Sequence, residues 1–285
     1  MTKLFLKLLY RLNLIKWFNF QITKKINGKK VIIPILNGTG FNMVFNNSEP
    51  WMDEVLNKII NHKSYSGIFL DVGVNLGQTL LKVKSINENI EYIGFEPNPH
   101  CVYYVNELIK ANNFKSLNAI PVGISKENTL LELSLFSESE TDSAASIIPD
   151  FRDKQAVKGK LFVPVFEVNT LKFLNDENIG LIKIDVEGAE LEVIQGFENI
   201  IMKYKPLILM EILPVYSSEN TKRLERQRIL EEMLKQKGYD MFRIAKHDTG
   251  VKFNLIEEIG IHSNIEDSDY FMIPKDKKIQ FDNIL

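Results

Sequence analysis

Cysteine is almost missing from this chain: Cys101 is the only one in 285 residues. A lone thiol excludes an intramolecular disulfide and any zinc site built on cysteine pairs. A reducing compartment fits that usage, and on its helix Cys101 reads as a small buried side chain rather than a nucleophile. Long apolar runs are missing too. No stretch of about 18 uninterrupted apolar residues occurs, so the chain offers no candidate membrane span. The opening "MTKLFLKLLYRLNLIKWFNF" is broken by Lys7, Arg11 and Lys16 and has no signal-peptide core. Acids are absent from the first 48 residues, which carry Lys3, Lys7, Arg11, Lys16, Lys24, Lys25, Lys29 and Lys30. The whole chain has a net charge of −2, so the remainder holds −10. A body of that sign has nothing to replace phosphate counterions, and no nucleic-acid partner is expected.

What is present is globular: 45 % hydrophobic and 25 % charged residues, long enough to bury a core without staples. Leu4, Leu8, Leu12 and Ile15 recur at helical spacing with cations between them. Two readings stay open for this segment. It is an interfacial helix on anionic lipid, or a helix packed on its own domain or on a second subunit. "KKVIIPILNGTGFNMVF" reads as a β-hairpin turning at Asn37-Gly38. "WMDEVLNKIINH" sets Trp51, Val55 and Ile59 on one helical face. Residues 1–65 are therefore expected as an arm, and 66–285 as the main domain.

From residue 68 strands alternate with helices, the pattern of a parallel sheet with crossovers. "IFLDV", "EYIGFE", "SLNAIPVGI", "IGLIKIDV" and "PLILMEI" read as strands, with helices over 77–86, 100–112, 189–204 and 219–237. "TLLELSLF" and "KLFVPVF" read as edge pieces. "YDMFRIA", "VKFNLIEEI" and "DYFMIP" read as strands pairing antiparallel at one edge.

Three motifs carry chemistry. In "FLDVGVNLGQT" a strand ends at Asp71 and turns through Gly73, Asn75 and Gly77. The glycines permit a sharp turn and close approach of a ligand, and Asn75 tolerates left-handed backbone. A dinucleotide pyrophosphate would need a different glycine spacing and no carboxylate nearby. Glu96, in "GFEPNPH", ends the second strand where an acid can accept both hydroxyls of a ribose. In "IKIDVEGAELEVIQG", Asp185 reaches the same rim, with Glu187 beside it. Glu190 reads as a helix-terminus acid.

Together "FLDVGVNLGQT" (69–79), "GFEPNP" (94–99) and "IKIDVEGAELEVIQGF" (182–197) resemble the FkbM-type methyltransferases, which use S-adenosyl-L-methionine. The resemblance covers about residues 66 to 215. It implies an α/β fold: a Rossmann-like seven-stranded sheet, mostly parallel with an antiparallel C-terminal edge, helices on both faces, and here an N-terminal helix and hairpin arm. It implies that the Asp71–Gly77 turn holds the methionyl part of the cofactor and Glu96 the ribose, with Phe95 and Pro97 flanking the adenosine. It also implies methyl transfer to a hydroxyl oxygen of a small molecule or glycan, such as a sugar or secondary metabolite.

A hydroxyl acceptor must lose a proton, and Asp185, Glu187 and His100 are the candidate bases, in that order. Asp185 and Glu187 can instead orient a divalent cation, although two carboxylates at i and i+2 make no metal site by themselves, and none is assigned. Lys183 and Arg152 are weaker candidates for holding an anionic substrate. The polar loop 137–155 is long enough for a lid, from which Asp142, Ser143 and Ser146 can touch cofactor or substrate. Two rivals remain: a nicotinamide-dependent oxidoreductase, and a non-catalytic module whose basic arm recruits a partner. The cytoplasm is the expected compartment, with the N-terminal helix as a peripheral membrane or dimer contact.

Overall fold

The computed structural model describes residues 3–46, 49–115, 117–152, 155–174, 177–282 and 284. Helix α1 (Lys3–Arg11) leads into a hairpin of β1 (Phe20–Ile26) and β2 (Lys29–Ile35), followed by α2 (Phe41–Phe45) and α3 (Pro50–Ile60). Strands and helices then alternate: β3 (Ile68–Val72), α4 (Gln78–Ile86), β4 (Tyr92–Phe95), α5 (Pro99–Asn112) and β5 (Leu117–Ile120). A small side sheet takes β6 (Gly123–Ile124), β7 (Thr129–Leu135) and β8 (Gly159–Phe166). The chain re-enters the main sheet with β9 (Ile179–Ile184), α6 (Glu190–Gly196), α7 (Glu198–Tyr204), β10 (Leu207–Glu211) and α8 (Thr221–Gln236). It closes with β11 (Tyr239–His247), β12 (Gly250–Ile256) and β13 (Asp269–Pro274).

The main sheet runs β12-β11-β13-β10-β9-β3-β4-β5. Strands β5, β4, β3, β9 and β10 are parallel, and β13 inserts antiparallel between β10 and β11. The order reverses at β3, with β4 on one side and β9 on the other, and such a switch point opens a crevice at the carboxyl ends. The expected architecture is present with eight strands instead of seven, because β12 folds back on β11 as an added edge.

Strand alternation sorts the core into two layers. Phe69, Leu181, Leu207, Leu209 and Phe271 pack with α3, α4, α5 and the N-terminal hairpin. Leu70, Val72, Ile182, Ile184, Ile208 and Met210 point the other way, toward α6, α7 and α8. Helix α5 starts cleanly because Asn98 caps it, accepting from the His100 amide at 3.0 Å, and Pro99 supplies its first turn. Cys101 is buried on that helix.

The N-terminal segment is sewn to α5. The Tyr104 hydroxyl donates to the Pro34 carbonyl at 2.8 Å, and the Asn112 amide exchanges two hydrogen bonds of 2.7 Å with the Ile32 backbone. The hairpin turns at Asn27-Gly28, not at Asn37-Gly38. Both pairs adopt left-handed backbone. After Asn37-Gly38 only the isolated Leu36–Thr39 bridge forms, since Phe41–Phe45 coils into α2 and offers no returning strand. The expected strand over "SLNAIPVGI" also splits. Pro121 has no amide to continue the ladder, so β5 stays in the main sheet and β6 joins β8. The helix expected over 189–204 breaks at Phe197 into α6 and α7.

Candidate active site

At the switch point the carboxyl ends of β3, β4, β9 and β10 surround an open cavity of about 340 Å³. The turn after β3 forms one wall. Gly73 has φ +88°, and a Cβ there would overlap the Asp185 carbonyl oxygen, so only glycine lets the two strand ends meet. Asn75 is left-handed at φ 48°, as its type permits, and its amide donates to Glu96 Oε2 at 2.7 Å. The other Glu96 oxygen accepts from the Asn98 amide at 2.8 Å. Burial pushes the Glu96 carboxyl up to about 7, against the downward pull of those two amides. Phe95, Pro97, Ile124 and Leu133 add apolar wall beside it.

The opposite wall is acidic, for a reason visible in the ladder. Asp71 and Lys183 are paired in register across β3 and β9, on the face that also carries Phe69 and Leu181. One rung further toward the carboxyl ends come Asp185, just past β9, Glu211 of β10 and Asp269 of β13. Neighbouring strands lie only about 4.8 Å apart, so three carboxyls in one rung repel one another. Glu49, the residue before α3, adds a fourth from above. Glu211 accordingly rises to about 9, through burial first and then through Asp185, Asp269, Glu187 and Glu49.

Lys183 answers this charge. Its ammonium lies 3.1 Å from Asp185 and 3.5 Å from Asp71 and donates to the Gly73 carbonyl at 3.3 Å. Burial alone would lower it, but Asp185, Asp71 and Glu49 hold it above the ordinary lysine value. Glu49, Glu211 and Asp269 bring one oxygen each within 4.8 Å of the others, a spacing that three ligands around an ion would need. Asp269 is also paired with Lys246, at 2.7 Å.

The loop between β7 and β8 covers the cavity. Asp142 ties its base, accepting from the Phe136 and Ser137 amides at 2.6 and 2.9 Å. Ser143, Ala145 and Ile147 line the cavity. The Ser146 hydroxyl donates to the Glu187 carbonyl at 2.7 Å, and Arg152 pairs with the Glu187 carboxylate at 2.6 Å. Glu187, left-handed at φ 51°, is pushed up to about 7 by burial and by Asp185, with Arg152 opposing. Glu190 caps α6 locally, accepting from the Gly188 amide at 2.8 Å.

Nine of the twelve residues read from the sequence meet at this cavity: Gly73, Asn75, Phe95, Glu96, Pro97, Asp142, Ser143, Asp185 and Glu187. Three do not. Asp71 is wholly buried one rung deeper than Gly73 on the same sheet face, against the Tyr92 hydroxyl and Lys183. Gly77 meets α5, where a Cβ would press on Leu108, so its smallness serves helix packing. His100 points outward from the first turn of α5 to Glu140, 3.3 Å away. The sequence reading missed Glu49, Gln78, Thr79 and Glu211, and it ranked Lys183 low. A signal existed for Glu211, which ends its strand as Glu96 ends β4. Glu49 had none.

A family model described as the methyltransferase FkbM domain matches residues 71–241. Methyltransferase sdnD of Sordaria araneosa is 26 % identical over 214 residues, covering 66 % of this chain and 79 % of that protein. Methyltransferase 1 of Beauveria bassiana is 26 % identical over 149 residues, covering 46 % and 58 %. Among solved structures, an FkbM methyltransferase from Methylobacillus flagellatus aligns with 14 % identity and a TM-score of 0.45, over 73 % of this chain and 43 % of its own. An O-methyltransferase from Bacillus cereus in complex with SAH aligns with 8 % identity and a TM-score of 0.45, over 95 % and 90 %.

Two expectations arise from the charged rung. Lys183→Met leaves Asp71 buried without its counter-ion, and urea unfolding is expected to register a loss of about 3–5 kcal/mol. A neutral result would mean that the Tyr92 hydroxyl alone sustains Asp71. The second concerns pH. Glu96 and Glu187 hold protons to about 7 and Glu211 to about 9, whereas in the unfolded chain each ionises near 4.5. The folded state binds more protons across that window, so the ligand-free protein loses stability as pH rises from about 5 to about 9. Glu211→Gln should flatten the upper part of the slope between about 7 and 9, and a slope unchanged in that variant would remove Glu211 as its source.

Proposed function

The chain belongs to the FkbM methyltransferase family, and from that premise we propose that it uses S-adenosylmethionine to methylate a hydroxyl oxygen of a small molecule or glycan. The observation that carries this reading is the charge of the cavity. Among the described residues six acids line it, Glu49, Glu96, Asp142, Asp185, Glu187 and Glu211, against one cation, Lys183. That donor set suits a ligand bearing a sulfonium and an ammonium and repels a diphosphate, which tells against a nicotinamide dinucleotide. Bound there, S-adenosylmethionine supplies an electrophilic methyl group on a positively charged sulfur.

The chain's own part is positioning and proton handling. Glu96 is held rigidly by two amides and keeps free lone pairs for ribose hydroxyls. Phe95, Pro97, Ile124 and Leu133 give an aromatic base an apolar slot. Alignment of acceptor and methyl group accounts for much of the rate, as positioning of this kind is worth about 7–11 kcal/mol. The acceptor's proton must also go somewhere. Asp185 is engaged by Lys183 and Glu187 by Arg152. Glu211 also lines the cavity, and no side chain or amide among the described residues pairs with its carboxyl. We assign Glu211 as the proton acceptor, with Asp185 and Glu187 shaping the field around it. A cationic ligand beside it draws its proton off and leaves the carboxylate that general-base work needs.

Calorimetry tests both halves. S-adenosylmethionine should bind and NADH should not, and Glu96→Ala should weaken binding about ten- to hundredfold, the worth of hydrogen bonds to a charged group. NADH binding without S-adenosylmethionine binding would sink the reading. Run in buffers of different ionisation enthalpy near pH 8, the same titration should release protons, with about one fewer released by Glu211→Gln. Equal release from both proteins would move the base to another carboxylate.

A further inference from the structure

Residues 5–18 present a surface that the fold does not use. Leu6 is fully buried and Ile15 nearly so, and the Tyr10 ring stacks on Phe41 at 4.2 Å, so one side of this segment is anchored in the core. The other side is apolar and open. Leu8 and Leu12 are about half exposed, Leu14 is 42 % exposed, Phe18 51 % and Trp17 73 %. Lys7, Arg11 and Lys16 are exposed alongside them, and no acid occurs before Glu49.

We infer that this face docks the protein on an anionic lipid surface, with Leu8, Leu12, Leu14, Trp17 and Phe18 entering the interface and Lys7, Arg11 and Lys16 meeting the headgroups. Apolar residues clustered at a polar surface with tryptophan among them, beside cations, are the mark of an interfacial segment. Charge decides between the two partners that an apolar face admits. Apposing the face with a second copy would set Lys7, Arg11 and Lys16 against the same cations, with no acid in the segment to answer them. An anionic bilayer supplies the opposite charge across the whole face. No helix among the described residues is long and apolar enough to cross a membrane, so the contact is peripheral. Leu6 and Ile15 also matter energetically. The segment is already ordered in the free protein, so docking costs little of the conformational entropy that a disordered anchor would lose.

The full chain should co-sediment with vesicles of phosphatidylcholine plus phosphatidylglycerol and stay in solution with phosphatidylcholine alone. Raised salt should release it. Lys7→Glu with Arg11→Glu, and separately Leu8→Ser with Trp17→Ser, should each weaken binding at least about tenfold. All four side chains are exposed, so circular dichroism should show these variants folded like the parent. In a Trp51→Phe background, the emission of Trp17 should shift to the blue on binding. Equal binding to neutral vesicles, or none to anionic ones, would overturn the inference. So would a sedimenting mass that doubles in the parent and returns to one chain in Leu8→Ser with Trp17→Ser, without vesicle binding. That result would assign the face to a second copy.

Discussion

Everything at the crevice depends on one buried ammonium. Lys183 sits where three demands converge: Asp71 behind it, Asp185 beside it and the Gly73 carbonyl at its tip. An ion taken out of water is tolerated only when its partners are close and its hydrogen-bond sites are filled. Lys183 meets that condition by joining β3 to β9 at the place where strand order reverses, so the ion pair fixes the two strand ends that frame the cavity. The lysine also limits the acidity of the wall. Without it the rung of Asp185, Glu211 and Asp269 would stand next to Asp71 with no positive charge from the central strands.

Backbone geometry obeys the same logic. Glu49, Asn75 and Glu187 all border the cavity, and all three are left-handed. For residues other than glycine such backbone costs of order 1–3 kcal/mol, and it persists where surrounding contacts over-determine it. Those contacts are present. Asn75 is pinned by Glu96, and Glu187 by Ser146 and Arg152. The conformation aims a carboxylate or an amide into the crevice that a relaxed strand end would turn away.

Much of this was readable from residue types and spacing. Acids at strand ends located Glu96 and Asp185, and the alternation of strands with helices located the sheet that carries them. What escaped reading was relational. Asp71 shares its sheet face with Glu96 but lies one rung deeper, in register with Gly94 and Lys183, so it meets Tyr92 and Lys183 beneath the cavity. Parity alone gives the face and not the depth, and depth needs the register between strands. Two Asn-Gly pairs have the same turn chemistry, and the hairpin forms only at the pair whose next residues, Lys29–Ile35, can return as a strand. Glu49 lies 22 residues before Asp71 in an ordinary "NNSEP", and nothing local marks it. Its place comes from α3 packing on α4 in the same core layer.

Charge is also separated along the chain. Three cations around the acidic cavity are paired with acids. Lys183 is spoken for by Asp71 and Asp185, Arg152 by Glu187, and Lys246 by Asp269. The arm carries the reverse sign. Among the described residues it contributes a single acid to the cavity, Glu49, immediately before α3. Before that point all its charge is positive. Glu49 is thus the residue at which the positive charge of the N-terminal segment gives way to the acids of the cavity.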